Sequence, residues 1–500
     1  MTNKLKKEEF LVYSALLFSF ILYLIGYFFS SNEIILFGTV LILLGNLIYS
    51  FNDFVGRSIF FSFNVTYFTF IMARPLVKII FGYNDIYNTT KYGFDFFSET
   101  VTIHIFQVIY LGLFGLTLGY LYFEKYKNSE WQPNIDRKNK TFIDAIKLVS
   151  LLVFYSSFIF SLLITIEKAG FSNSEGYYSV YSSYSSRYPF IFTKISEMNQ
   201  ISLFVFLGCL PSRGKAFFPV FLYIILGGIS LMVGQRNIFV LNVLIVFIYL
   251  TYRNFTDERP WLSRRVLFLG FASIPLILLL LNFVNRVRTG VDFSGENNPF
   301  LDFLYSQGVS ANLIGHAENL SLSSNKEIEF FTFGRLIDFF NNNVITSTLF
   351  STPQYSSQTL DSALYGHSFA DTISYLVSPV RYLKGWGYGS SYLAETYYDF
   401  GKLGVVIFSI FIGWLLIKIK QMFTRGPILM AFGLSMVRLI LYSPRDTALS
   451  FFVTSFNITN IITVILIYLI AKIFCGITTN SHPRSKTFSY GNEGDNDSEK

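Results

Sequence analysis

Arginines give the first indication of chemistry in this chain. Arg236 lies in MVGQRNIF between two apolar runs, and Arg286 and Arg288 leave another apolar run in NFVNRVRTG. Arg438 lies inside a further run, and Arg445 follows that run in YSPRD. A guanidinium keeps its charge and pairs with phosphate through two parallel hydrogen bonds. Near mid-membrane it costs about 2.5 to 3.5 kcal/mol to insert, so it faces a partner or a wet cavity. For any one of these residues, snorkelling to lipid headgroups or an ion pair with an acid such as Asp446 is a sufficient explanation. Gathered on one side of a bilayer they call for an anionic ligand, and a lipid diphosphate held at the membrane surface suits them.

The second chemical segment is GWGYGSSYLAETYYDFGKLG, residues 385–404. Its three alternating glycines permit close backbone approach. Glu395 and Asp399, four apart, share a face if the part after Ser390 is helical, which puts a carboxylate at the membrane mouth. The ordinary alternative is a first-turn acid favoured by the helix dipole. Tyr388, Tyr392 and Asp399 offer rings and a carboxylate to a sugar. His367, in SALYGHSFAD, is a candidate general base, since imidazole as a side-chain type titrates close to neutral pH, with Glu395 as the other candidate. His316 and His104 carry less weight. The loop SNSEGYYSVYSSYSSRYPF, 172–190, sets flat rings beside hydroxyls, which suits stacking on sugars, although an interfacial aromatic belt has the same composition. No HExxH and no Cys/His cluster occurs, so the site is expected to work without metal or cofactor.

Transmembrane helices must position these residues. Of the 500 residues 52% are hydrophobic and 14% charged, where a soluble domain has about a quarter charged. Apolar runs of roughly 20 residues, enough to cross about 30 Å of hydrocarbon, recur along the whole chain. They give about twelve spans: 10–30, 33–51, 58–78, 101–123, 144–166, 196–211, 216–234, 237–252, 266–285, 402–418, 427–442 and 449–474. The predicted fold is therefore all-α and polytopic. Residues 1–285 hold spans one to nine, 286–401 form a large extracytoplasmic loop, 402–476 hold the last three spans, and 477–500 form a polar, disordered cytoplasmic tail. Within the large loop, FFTFGRLIDFFNNNV and HSFADTISYLVSPVRYL read as helical pieces.

Lysine and arginine fall in alternate connections: Lys4, Lys6 and Lys7, then Arg57, then Lys125 to Lys140, Arg213 and Lys215, Arg253 to Arg265, Lys418 to Arg425, and Lys472 onward. The positive-inside rule places these segments and both termini in the cytoplasm. Topology thus accounts for the net charge of +7, and no nucleic-acid partner is expected. The two cysteines, Cys209 and Cys475, fall at predicted cytoplasmic helix ends and suggest neither a disulfide nor a metal site.

The GQRN hairpin at 234–237, the large outer loop, GYGSSYLAETYYDFGKLG at 387–404 and SPRD at 443–446 together resemble Wzy-type bacterial polymerases of O-antigen and capsular polysaccharide. The resemblance implies a glycosyltransferase of the bacterial inner membrane, whose donor and acceptor oligosaccharides are both carried on undecaprenyl diphosphate at the outer leaflet. Arg236, Arg288 and Arg445 would then hold the leaving diphosphate, with Glu395 or His367 as base. Membrane lipid, a chain-length regulator and a flippase are the implied partners. An O-antigen ligase or a lipid-linked sugar flippase is the alternative.

Overall fold

The computed structural model describes residues 2–83, 97–125, 140–257, 260–263, 298–323, 330–342 and 344–480, with scattered positions between 265 and 284. Among them every regular element is helical. The first eight spans are α1 (Thr2–Phe28), α2 (Asn32–Asn52), α3 (Ser58–Phe81), α4 (Glu99–Lys125), α5 (Lys140–Glu175), α6 (Phe190–Gly208), α7 (Arg213–Val233) and α8 (Arg236–Thr256). The large loop contains α9 (Pro299–Gln307), α10 (Ser310–Ser323), α11 (Phe331–Asn341) and α12 (Phe369–Val377). The chain ends with α13 (Tyr392–Met422), α14 (Pro427–Ile440) and α15 (Ser450–Cys475).

Ten of these helices, α1 to α8 with α13 and α15, are long and apolar enough to cross a membrane. Two of the about twelve expected spans are not among these ten. The ninth span, 266–285, lies mostly outside the described residues, as does the tail from 481 onward. The eleventh is only 14 residues long, about 21 Å at 1.5 Å per residue, short of a full crossing. It starts at Pro427, after Gly426 at φ 112°, as expected, and the turn into the 3₁₀ segment Ser443–Arg445 ends it two residues early. The outward faces of the long helices carry exposed Leu, Ile and Phe side chains such as Phe217, Phe221, Ile462 and Leu469, as a surface bathed in hydrocarbon requires.

Helix contact inside a bilayer relies on small residues and buried polar pairs. On α4, Gly119 faces the α13 backbone so closely that a Cβ would lie 2.3 Å from Ile410 O, and a Cβ at Gly413 would lie 2.5 Å from Leu116 O. Asn46 donates to Asn64 Oδ1 and Thr117 Oγ1, both at 2.8 Å, and so joins α2, α3 and α4. This tight α4–α13 pair is the mast on which the loop helices are hung. Near its top, α13 breaks at Gly401 (φ 64°, ψ −160°), a conformation that L side chains rarely adopt. Residues 392–400 therefore form a separate upper segment, and most of the chemical candidates attach to it.

Candidate functional site

The upper segment of α13 holds two other parts of the chain by its acids. Glu395 is fully buried. Its Oε1 accepts from Ser390 Oγ at 2.6 Å, and its Oε2 accepts from Ala448 N at 2.8 Å. The glycine-rich strap before α13 and the connector after SPRD are thereby fixed to one carboxylate. Asp399 accepts from Phe331 N at 3.2 Å and Thr332 N at 2.6 Å. A carboxylate there satisfies the unpaired N–H groups of the first turn of α11. Tyr392 is also fully buried, its ring 5.9 Å from that of Phe408. A ring without exposed surface cannot stack on a sugar, so the sugar-binding expectation fails for Tyr392. Tyr388 is half-buried between His316 at 5.1 Å and Trp386 at 4.9 Å.

The arginines come to the same end of the bundle on different elements. Arg445 ends the 3₁₀ turn after α14, donates from Nη1 to Gln307 O at 2.9 Å and lies 5.8 Å from the Phe70 ring. Its partner is a neutral carbonyl and not the adjacent Asp446. Arg438, in the last turn of α14, donates from Nε to Asn242 Oδ1 at 3.2 Å. Arg236 opens α8 and its Nη1 lies 3.4 Å from Leu281 O. Arg286 and Arg288 lie outside the described residues. Arg74, which the sequence reading passed over, is buried at the end of α3 with its guanidinium 4.3 Å from the Tyr305 ring.

The glycines and polar side chains fasten these pieces together. Gln235 Nε2 donates to Tyr181 OH at 3.2 Å, joining the GQRN hairpin to the tyrosine-rich loop. Gly385, at φ 93°, is pressed against that loop so that a Cβ would lie 2.0 Å from Tyr178 O. Gly389 comes up to Arg445, where a Cβ would lie 4.0 Å from the carbonyl oxygen. Four segments far apart in sequence thus meet at one place.

The loop helix α11 adds a charged face. Arg335 is exposed and Asp338 follows one turn later. His367 Nδ1 lies 3.6 Å from Asp338 Oδ1, within ion-pair range but longer than a hydrogen bond. Burial pushes the Asp338 carboxyl up, opposed by His367 and then by Arg335. Burial likewise pushes Asp446 up, opposed by hydrogen bonds from Ser450 and Thr447 N and by the charge of Arg335. The charge of Arg335 thus bears on both acids, one beside His367 and the other next to Arg445. FFTFGRLIDFF contains this pair at i, i+3, a signal that a helical-face analysis of the loop could have caught.

A second polar constellation lies on the opposite face of the upper segment. His104 Nδ1 is 2.9 Å from Glu318 Oε1, Tyr397 OH donates to Glu318 Oε2 at 2.7 Å, and Lys402 Nζ donates to Gln107 Oε1 at 2.5 Å. His104, given the least weight from sequence, is thus clamped to α10 and α13. Among the described residues no group of three or more His, Cys, Asp or Glu side chains is spaced to hold a metal ion.

The family model for the O-antigen polysaccharide polymerase Wzy matches residues 10–476. No curated protein and no solved structure matches the chain.

Proposed function

The chain belongs to the O-antigen polysaccharide polymerase Wzy family, and from that premise we propose that it joins undecaprenyl-diphosphate-linked oligosaccharide repeat units into a polysaccharide at the outer leaflet of a bacterial inner membrane. The loop-bearing end faces outward and both termini face the cytoplasm, as the alternation of Lys and Arg along the chain supports. A flippase delivers the units and a chain-length regulator acts with the polymerase.

The reading rests on one observation above others: the GQRN hairpin, the tyrosine-rich loop, the GWGYG strap and the SPRD turn meet at one end of the bundle, through Gln235–Tyr181, Gly385–Tyr178, Gly389–Arg445 and Glu395–Ala448. That end carries Arg236, Arg438 and Arg445, with Arg286 and Arg288 leading into the same loop. In the reaction, the acceptor hydroxyl gives its proton to His367 as its oxygen attacks the anomeric carbon of the donor. The bond from that carbon to the diphosphate oxygen breaks, and the diphosphate leaves with the electron pair. Preplaced guanidinium groups, joined by Arg335, stabilise the charge that develops on it, so the scheme is metal-independent. Asp338 beside Nδ1 favours the tautomer with Nε2 as acceptor. Glu395, with both carboxylate oxygens already accepting, is a positioning residue and leaves the base role to His367. Asp399 positions α11.

The test is incubation of the purified protein with lipid-linked repeat units. A ladder of products supports the proposal. A single transfer to another lipid makes the protein a ligase, and translocation without bond formation makes it a flippase.

A further inference from the structure

The tyrosine-rich loop is built as a platform. Glu167, near the end of α5, accepts from Tyr184 OH at 2.9 Å, Ser186 Oγ at 2.8 Å and Arg187 N at 2.7 Å, and so closes the loop on its own helix. Ser172 Oγ donates to Val233 O at 3.0 Å, beside the GQRN hairpin. Within this frame Tyr177 packs edge-on against both Tyr178 and Tyr181, with ring centroids 5.3 Å apart in each case. The hydroxyls of Tyr177 and Tyr181 lie 3.0 Å apart, Gln235 donates to the second, and Tyr181 is 45% exposed. Gly385 locks Tyr178 from the other side.

We propose that Tyr177, Tyr181 and Gln235 form a subsite for the oligosaccharide of the lipid-linked substrate, next to the diphosphate grip. An interfacial belt needs only single rings floating among headgroups. Here the rings interlock edge to face, and the exposed Tyr181 ring stands beside paired hydroxyls and an amide, the combination that offers a sugar both an apolar ring and hydrogen-bond partners. Gln235 is followed directly by Arg236, so one turn of backbone spans sugar recognition and phosphate recognition. The proposal rests on the polymerase reading for the identity of its ligand.

The test compares wild type, Tyr181→Ala, Tyr177→Ala and Tyr181→Phe in nanodiscs. The substrates are the full lipid-linked repeat unit and a version truncated to one sugar, with sugar-free polyprenyl diphosphate as competitor. Loss of one ring is expected to raise KM for the full unit about tenfold, to leave kcat within about twofold and to leave the truncated substrate and the competitor unaffected. Tyr181→Phe, which keeps the ring, is expected to fall between. An unchanged KM, or equal losses for the full unit, the truncated unit and the competitor, overturns the subsite in favour of a lipid belt or a purely structural loop. Binding of the free oligosaccharide, released from the carrier, is measured separately by calorimetry. If no polymer forms with wild type, the polymerase reading fails, while loss of oligosaccharide binding in Tyr181→Ala still supports the subsite and equal binding to both proteins overturns it.

Discussion

Replacing Glu395 separates a positioning carboxylate from a catalytic one. Glu395→Ala leaves the Ser390 hydroxyl and the Ala448 N–H without their partner in a buried place. Each buried group left unpaired costs about 1 to 3 kcal/mol, so the two together cost about 2 to 6 kcal/mol. Glu395→Gln is different. Its carbonyl can accept from Ala448 N while its amide donates to Ser390 Oγ, so neither buried group is left unpaired and most of that cost is avoided. Thermal unfolding in nanodiscs should therefore place Gln close to wild type and both well above Ala. Polymer length on gels, in a host lacking its own polymerase, should be nearly normal for Gln and collapse to single units for Ala. A Glu395→Gln protein that unfolds like wild type yet makes no polymer refutes the argument, since only the proton chemistry of the carboxyl would then have been removed.

Other consequences are open to measurement. Asp399→Ala removes the acceptor for the first turn of α11; it should cost about 0.5 to 2 kcal/mol and speed proteolysis within 330–342, while Asp399→Asn should protect most of it. Gly385→Ala, with a Cβ 2.0 Å from Tyr178 O and φ at 93°, should abolish long polymer, whereas Gly387→Ala, whose nearest neighbour is Ser374 Oγ at 3.3 Å, should be tolerated on the same gels. His367→Ala should lower kcat by about 10² to 10⁴ with little change in KM, measured with purified protein and lipid-linked units; an unaltered kcat rejects His367 as the base.

Length and apolarity made most of the membrane helices legible, because a bilayer leaves few other solutions for runs of that size. The same criterion placed the start of 427–442 at Pro427, where the helix does begin, but ran two residues past its end, which the turn into SPRD sets at Ile440. FFTFGRLIDFFNNNV and HSFADTISYLVSPVRYL contain the helices Phe331–Asn341 and Phe369–Val377, since their 3.6-residue periodicity is local information. The role of Glu395 was not legible. Its acid type and its place before an apolar run fit an exposed helix start as well as a buried brace, and only the return of Ala448 to its side distinguishes the two. His104 was hidden for a similar reason: its partner Glu318 is 214 residues away, and nothing near His104 announces it. Arg335 and Asp338 were within reach of sequence, three apart in a segment already read as helical.

The break at Gly401 has a mechanical meaning. Below it, α13 is bound to α4 and must tilt whenever the surrounding bilayer thins or thickens; above it, the nine residues from Tyr392 to Phe400 are anchored to the SPRD connector and to α11. A continuous rod would pass every tilt of its lower part straight to Glu395 and Asp399. The break at Gly401 lets the upper part take its direction from the SPRD connector, from α11 and from His104 of α4, so the placing of the rim groups is set by these side contacts and not by the axis of the lower rod.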